Sequence, residues 1–236
     1  HCDAGAAVDG GSRDRMPGEI GTVEERGVEI AGSGAERLDK VDCVLRETNA
    51  GRRHLGQAVE VFRSGKIGYI DKPLGATLGE AIAIYEMAER YGASVFTSSA
   101  LRYSPQNAAL RRGDFGKILG ADCYSPHTVE PTHPDFGFYG IHGVETLYTL
   151  LGTGCEAVSR IHSPMGDIVS GRWNDGRLGT FRAVVKGPAA YGGTALPGKV
   201  TVAAGGSPGH QVRPDAVPRH CQTRSSHGPK EWHPHS

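Results

Sequence analysis

The chain has 236 residues, of which 38% are hydrophobic and 7% aromatic, so it is long enough to bury the core of one or two domains. It carries 26 Lys and Arg against 26 Asp and Glu, so it lacks the excess of positive charge that binding to nucleic acid or to an anionic membrane would require. No apolar run reaches the length of about 18 residues that a membrane span needs. We therefore expect a protein that binds neither nucleic acid nor membrane.

The cysteines indicate a compartment. They are odd in number and form no C-x-x-C pair, which argues against a disulfide framework and against a zinc ribbon; they are Cys2, Cys43, Cys123, Cys155 and Cys221. Reduced thiols are typical of the cytoplasm. We expect a cytoplasmic protein.

The first half of the chain alternates strand and helix patterns after residues 1–26, which show no sustained period. Strands are predicted at residues 27–30, 41–45, 67–70 and 95–97. Apolar residues at helical spacing predict a helix between Gly51 and Gly65, and the capping box Thr77-Leu78-Gly79-Glu80 begins a second helix that ends near Gly92. Strands separated by helical crossovers are typical of a parallel sheet.

After Tyr103 the pattern changes to strands around one helix. The predicted helix is 141–151, and the predicted strands are 117–124, 158–161, 168–173 and 178–185, the last two joined by the hairpin signal Asn174-Asp175-Gly176. This pattern indicates an α+β domain with an open, largely antiparallel sheet over residues 104–200. Residues 201–236 contain no Leu, Ile, Met or Phe, and this composition predicts a disordered tail.

Polar residues follow three predicted parallel strands, in the turns Thr48-Asn49-Ala50, Asp71-Lys72-Pro73 and Ser98-Ser99. The carboxyl ends of such strands share one sheet edge, where open α/β sheets bind ligands. Lys72, held extended by Pro73 and oriented by Asp71, could polarise a substrate oxygen or exchange a proton. An ordinary turn lysine is the alternative.

Other polar residues lie near the same edge. Asn49 and His54 flank the first turn, where short polar groups contact ligands, although Asn49 could simply cap the helix. Arg102 follows the last parallel strand and could face the cleft or join the two domains.

A histidine begins the predicted helix of the second domain. His142, Glu145 and Thr149 share a polar stripe, so His142 and Glu145 form a plausible acid–base pair; a structural hydrogen bond by His142 is equally compatible with the sequence. His127, His133 and His142 lack the H-x-x-x-H spacing of zinc motifs and lie among prolines. We expect no metal site.

Four motifs, taken in this order, resemble the glucose-fructose oxidoreductase and inositol dehydrogenase (Gfo/Idh/MocA) family over about residues 25–195. They are Glu47-Thr48-Asn49 with His54, Tyr69-Ile70-Asp71-Lys72-Pro73-Leu74, Ser98-Ser99-Ala100-Leu101-Arg102-Tyr103, and Gly140-Ile141-His142-Gly143-Val144-Glu145. The resemblance implies a Rossmann-like domain that holds NAD or NADP, over residues 1–103. It also implies that the open sheet of the second domain supports substrate binding and contacts in a homo-oligomer.

The resemblance implies roles for individual residues. Lys72 and His142 would be catalytic, and the cofactor-binding residues would be Thr48, Asn49, His54, Asp71, Lys72 and Pro73. The substrate-binding residues would be Arg102, Tyr139 and Glu145. The implied reaction is hydride transfer between nicotinamide and a sugar or polyol-like substrate, with a proton moved by Lys72 or His142.

Three departures from the family pattern lead to a second hypothesis. The chain has no G-x-G-x-x-G turn or preceding strand, and its composition changes abruptly near residues 196–202. We therefore expect a chain truncated at both ends and impaired in activity, with a tail over 201–236 that a shifted reading frame would explain. Phe138 stands where many members carry Asp, so the alternative is a catalytically silent sugar-binding or oligomerisation module.

Overall fold

The computed structural model describes residues 10–31, 34–48, 51–131, 133–187, 189–198 and 200–204. Its first half contains four helices and three strands in the described ranges: α1 (Gly10–Glu25), α2 (Gly34–Leu38), β1 (Cys43–Arg46), α3 (His54–Arg63), β2 (Ile67–Ile70), α4 (Leu78–Arg90) and β3 (Val95–Thr97). The three strands form a parallel sheet in the order β1-β2-β3. The predicted parallel sheet is confirmed.

The helices of this half begin and end where local signals place them. The Thr77 hydroxyl accepts a hydrogen bond from the Glu80 N–H while the Glu80 side chain accepts one from the Thr77 N–H, so the predicted capping box begins α4. Gly65 follows α3 with φ +70°, a conformation that favours glycine. α3 and α4 pack together on one face of the sheet around a core of Ala58, Phe62, Ile70, Ile84 and Ala88.

The strand predicted at residues 27–30 is wrong, and the chain there ends a helix instead. Gly27 adopts φ +77°, and the Val28 N–H donates to the Val23 carbonyl, which closes the last turn of α1. The Val28 N–H is therefore used to close the helix. Within residues 27–30, only Ile30 forms an isolated β-bridge.

The second half forms a mixed six-stranded sheet. Its elements are α5 (Pro105–Arg112), β4 (Ile118–Pro126), α6 (Gly140–Leu151), β5 (Cys155–Ser163), β6 (Gly166–Trp173), β7 (Leu178–Val184), β8 (Gly192–Pro197) and β9 (Val202–Ala204). The strand order is β5-β6-β7-β4-β8-β9; only the β4–β7 pair is parallel. The largely antiparallel sheet and its β6–β7 hairpin are confirmed.

The tail predicted from residue 201 begins too early. Val202, Ala203 and Ala204 pair with β8, and Ala204 is buried. Small residues are enough to form a strand here, because β9 is an edge strand that packs against α5. The rest of the predicted tail, residues 205–236, lies outside the described residues.

Helix α6 covers one face of the large sheet. Leu147, Leu150 and Leu151 are buried in a core that also contains Trp173 and Phe181. Helix α6 begins beside β4, which brings its first turn close to the ends of the parallel strands.

None of the helices in the described ranges is long and apolar enough for a membrane span.

Gly143 sets how closely α6 approaches the sheet. A Cβ atom at this position would overlap the Phe181 ring and lie 2.9 Å from Ser125 Oγ, so the close packing depends on a residue without a side chain. By contrast, a Cβ atom at Gly56 in α3 would meet nothing within 4 Å.

We expect Gly143→Ala to lower the free energy of unfolding by about 1–3 kcal/mol, because overpacking outweighs the gain in helix propensity. Gly56→Ala, the matched control, should raise it by about 0.5–1 kcal/mol. Chemical denaturation of both variants measures the difference. A stabilised Gly143→Ala variant would show that the contact between α6 and the sheet can accommodate an added methyl group.

Candidate active site

The turns after β1, β2 and β3 meet at one sheet edge. The Asp71 N–H donates to the Arg46 carbonyl over 2.7 Å, which joins the ends of β1 and β2. The Tyr69 hydroxyl donates to the Ser98 carbonyl over 2.9 Å, which joins β2 to the turn after β3. Parallel strands place their carboxyl ends together, and these two hydrogen bonds fix the turns that follow.

Lys72 lies at this edge beside a carboxylate. Its Nζ is 3.1 Å from Asp71 Oδ2, and both side chains are about one-fifth exposed, at 21% and 23%. The peptide bond between Lys72 and Pro73 is cis. Asp71 therefore orients the Lys72 ammonium, as the sequence predicts, while leaving part of it open to the cleft.

Acidic and phenolic groups surround Lys72. Burial, and then the nearby Asp71 charge, raise the pKa of Glu47, whereas Lys72 lowers it. Burial also raises the pKa of Tyr69, followed by the Asp71 charge. The edge is thus a partly dehydrated site in which Lys72 supplies positive charge.

His54 holds two turns together. Its Nε2 is 2.8 Å from the Thr48 carbonyl and its Nδ1 is 2.9 Å from the Pro73 carbonyl, and the side chain is 1% exposed. Both ring nitrogens therefore face backbone oxygen atoms. The structure corrects the cofactor-binding role expected for His54, because a side chain this buried offers a ligand no surface.

The first turn is only partly described. The Thr48 hydroxyl donates to Gln57 Oε1 over 2.8 Å, so this side chain is directed to α3. Asn49 lies outside the described residues. Pro73 lies against Gly137, whose Cβ position would be 3.8 Å from Pro73 Cγ.

His142 enters the site from the first turn of α6. Its Nδ1 is 2.7 Å from Ser99 Oγ, at the end of β3. Burial, and then the Lys72 cation, lower the pKa of His142 to about 4, while Asp71 acts in the opposite direction. The imidazole is therefore neutral near pH 7 and lies in the electrostatic field of Lys72 and Asp71.

Glu145 is not the partner of His142. Its Oε2 accepts from the Ser99 N–H over 2.6 Å, and its Oε1 accepts from Arg102 Nε over 2.8 Å. The predicted acid–base pair of His142 and Glu145 is therefore wrong: one carboxylate oxygen is committed to backbone and the other to a guanidinium. Glu145 and Arg102 join α6 to the chain after β3.

Aromatic rings form a wall beside His142. The Tyr139 ring centroid is 6.3 Å from that of His142, and the Tyr191 ring packs edge-on at 5.5 Å. Phe138 packs edge-on against Tyr139 and also contacts His133. Tyr139 is 39% exposed, so its ring remains available to a ligand.

The segment that carries Tyr139 is anchored to the sheet by Arg160. The Arg160 guanidinium contacts both carboxylate oxygens of Asp135, at 2.9 and 3.0 Å, and Asp167 at 2.8 Å. It also lies 4.5 Å from the centre of the Phe136 ring. Asp167 is buried, and Arg160 on β5 therefore ties the loop before α6 to the second sheet.

The histidines before α6 have aromatic neighbours. His127 packs edge-on against Phe136, and His133 packs against Phe138. Within the described ranges, no three His, Cys, Asp or Glu side chains come close enough together to hold a metal ion.

A groove of about 700 Å³ lies at the carboxyl end of α6. Its lining includes Arg102 but not Lys72 or His142.

Four side chains at the site were given no individual role by the sequence: Glu47, Tyr69, Ser99 and Tyr191. Glu47 and Ser99 follow parallel strands, so the rule that indicated Lys72 also applies to them. Tyr69 alternates with buried residues of β2 and looks like a sheet residue. Tyr191 precedes β8, and only the pairing of β8 with β4 brings it to His142.

Several solved dehydrogenase structures share this architecture. GenD2 from gentamicin A biosynthesis, in complex with NAD, has a TM-score of 0.66 and 18% identity, covering 82% of this chain and 63% of its own. A probable dehydrogenase from Thermotoga maritima has a TM-score of 0.65 and 18% identity, covering 84% and 68%. The WlbA dehydrogenase from Bordetella pertussis, in complex with NADH and UDP-GlcNAcA, has a TM-score of 0.61 and 20% identity, covering 80% and 64%.

The chain has the fold of these dehydrogenases. The Rossmann-like architecture implied by the resemblance is thus confirmed, and the chain spans somewhat less than two thirds of the GenD2 chain, 63%. No protein-family model and no curated protein matches the sequence.

The low pKa of His142 predicts how stability depends on pH. Between about pH 6.5 and pH 4 the unfolded chain binds a proton at His142 that the folded chain does not, so the free energy of unfolding falls as pH decreases. His142→Gln removes this contribution. We expect the difference between wild type and variant to change by on the order of 2 kcal/mol from about pH 7.5 to pH 5. Denaturant titrations at both pH values measure it, and parallel pH profiles would contradict the assignment.

Proposed function

We propose that this protein is an NAD(P)-dependent oxidoreductase that transfers a hydride between nicotinamide and a sugar or polyol-like substrate. The observation that carries the proposal is that Lys72, oriented by Asp71, lies at the carboxyl edge of a parallel sheet and that His142 reaches the same edge through its contact with Ser99. Proteins of the same fold are described in complex with NAD or NADH, and WlbA also with UDP-GlcNAcA.

The described residues fit the nicotinamide end of such a cofactor. Asp71, Lys72 and Pro73 present a charged, partly buried edge, and Gly137 faces Pro73 from the opposite segment. When bound, nicotinamide supplies the site that accepts or donates the hydride. NAD and NADP are both compatible with the proposal.

Lys72 is the proposed catalytic cation. Its ammonium is held by Asp71 in a partly dehydrated site, where a fixed charge acts more strongly than it does in water. There it stabilises the negative charge that develops on the substrate oxygen. When a carbonyl is reduced, the ammonium gives its proton to this oxygen as the hydride reaches carbon, and in the oxidation of an alcohol the neutral amine takes the hydroxyl proton as the hydride leaves. His142 contacts the same oxygen from α6.

Tyr139 and Arg102 are the proposed substrate contacts. The Tyr139 ring is 39% exposed and provides an aromatic face and a hydroxyl. Arg102 uses its Nε for Glu145, so its remaining N–H groups can donate to sugar oxygens. Glu145 acts indirectly, because both of its oxygens accept hydrogen bonds from the protein.

Cofactor binding tests the proposal. We expect saturation-transfer NMR to show transfer to the nicotinamide protons of NAD⁺ or NADP⁺. Lys72→Ala should remove the transfer. Lys66→Ala, which changes the lysine just before the opposite end of β2, should leave it unchanged.

The second measurement is formation of reduced nicotinamide in the presence of UDP-sugars, free sugars and inositols. Turnover that Lys72→Ala abolishes and Lys66→Ala preserves would support the enzyme. Wild-type protein that shows neither saturation transfer at about 1 mM cofactor nor turnover would contradict the proposal.

A second candidate is an oligomerisation module of the same fold. It is favoured by the sheet face opposite α6, where Leu178 and Leu196 flank Gly120 in the strand register and remain 62% and 39% exposed. An exposed apolar face of this kind is typical of a contact between protein copies.

The proposed location is the cytoplasm. Cys43, Cys123 and Cys155 are free thiols, which supports this proposal.

Self-association through this face can be measured directly. We expect light scattering to show a dimer or larger oligomer for the wild type and a monomer for Leu178→Glu, because a carboxylate on an apolar contact must be dehydrated. Glu89→Gln in α4, which lies in the other half of the chain, is the control. A monomeric wild type would exclude the contact.

A further inference from the structure

The Ser99 hydroxyl lies between two nitrogen atoms. Its Oγ is 2.7 Å from His142 Nδ1 and 3.2 Å from the Leu101 backbone nitrogen, and Ser99 is 1% exposed. The Leu101 N–H can only donate, so it uses one lone pair of the Ser99 oxygen. Within the described chain, His142 Nδ1 is the one acceptor within reach of the Ser99 hydroxyl proton.

Two arrangements of protons are possible, and they differ in cost. If His142 carries its proton on Nε2, the Ser99 hydroxyl donates to Nδ1, so the buried hydroxyl has an acceptor and the remaining donor, Nε2–H, belongs to a side chain that is only partly buried. If the proton is on Nδ1, the Ser99 oxygen accepts twice and its own proton is buried without an acceptor. An unpaired polar group at a buried position is disfavoured, so hydrogen-bond accounting selects the first arrangement.

We propose that Ser99 holds His142 in the Nε2–H form, so that His142 presents a neutral hydrogen-bond donor to the substrate oxygen. Ser99 is then a positioning residue, and His142 is the group that contacts substrate. This assignment of roles rests on the proposed oxidoreductase function, whereas the position of the proton does not.

Neighbouring contacts keep this arrangement in place. The Ser99 N–H donates to Glu145 Oε2 and so fixes the residue that carries the hydroxyl. The Thr146 hydroxyl donates to the His142 carbonyl one turn earlier in α6. His142 is only partly buried, in contrast to Ser99, so its ring keeps some exposed surface at the site.

The Nε2–H form determines what His142 can do. A neutral imidazole with its proton on Nε2 donates to a carbonyl or hydroxyl oxygen, but it has no lone pair there to accept the substrate's proton. The low pKa of His142 supports this role, because the ring stays neutral beside Lys72. His142 thus polarises the substrate oxygen and is not the base.

The proton position can be measured in the free protein. Long-range ¹⁵N–¹H NMR of ring-labelled histidine distinguishes the two neutral forms, and the His142 signals are those missing from His142→Gln. We expect a protonated Nε2 and an unprotonated Nδ1 near pH 7. A proton on Nδ1, or a charged ring, would overturn the proposal without any further variant.

Substitutions at Ser99 test its role. Ser99→Ala removes the donor, and we expect the single form to give way to a mixture with at least a tenfold larger share of Nδ1–H. Ser99→Thr keeps a hydroxyl and should restore the wild-type ring signals. Ser94→Ala, at the exposed serine just before β3, is the control and should leave the ring signals unchanged. Unchanged ring signals in Ser99→Ala would overturn the proposal.

Turnover separates this inference from the proposed function. If the enzyme is active, Ser99→Ala should lower kcat at least tenfold with KM little changed, and Ser99→Thr should recover it. A wild type with the Nε2–H form but no turnover would contradict the function alone. Turnover with an Nδ1–H form would contradict the role of Ser99 alone.

Discussion

Glu145 accepts one hydrogen bond from the Ser99 N–H and another from Arg102, and through this carboxylate α6 is joined to the chain that leaves β3. Lys72 belongs to the parallel sheet, whereas His142 belongs to a helix packed on the other sheet. Their relative position depends on this junction and on Gly143, which lets α6 lie close to Phe181. Glu145 therefore contributes to the site by geometry, although it is too occupied to bind a ligand itself.

Local signals predict much of this fold. The capping box at Thr77, the hairpin at Asp175 and the strand at 67–70 depend on neighbours in sequence, and the structure reproduces them. The rule that parallel strands share one carboxyl edge also predicts that the turns with Lys72 and Ser99 lie close together. Residues 27–30 fail because the closing turn of α1 uses the Val28 N–H, a contact that apolar periodicity does not reveal.

The roles of the polar side chains are harder to predict than their positions. His54 and Glu145 lie near the site, as expected, yet each satisfies protein groups: His54 faces two backbone carbonyls, and Glu145 binds an N–H and a guanidinium. Sequence spacing shows which residues share a helix face, but hydrogen-bond partners from distant strands decide their function. Ser99 illustrates this, since its partner His142 is 43 positions away.

Arg160 on β5, the edge strand of the large sheet, binds Asp135 and Asp167. It thereby connects this strand to the aromatic segment beside Pro73. Edge strands are among the first parts of a sheet to open, because they have a neighbour on one side only. Opening of β5 would withdraw the guanidinium from Asp135, and it would also carry Arg160 and His162, which both lie on β5, away from the buried Asp167. Fraying of β5 is therefore coupled to loosening of the aromatic wall beside His142. Amide exchange in β5 consequently reports on how well ordered the candidate active site is.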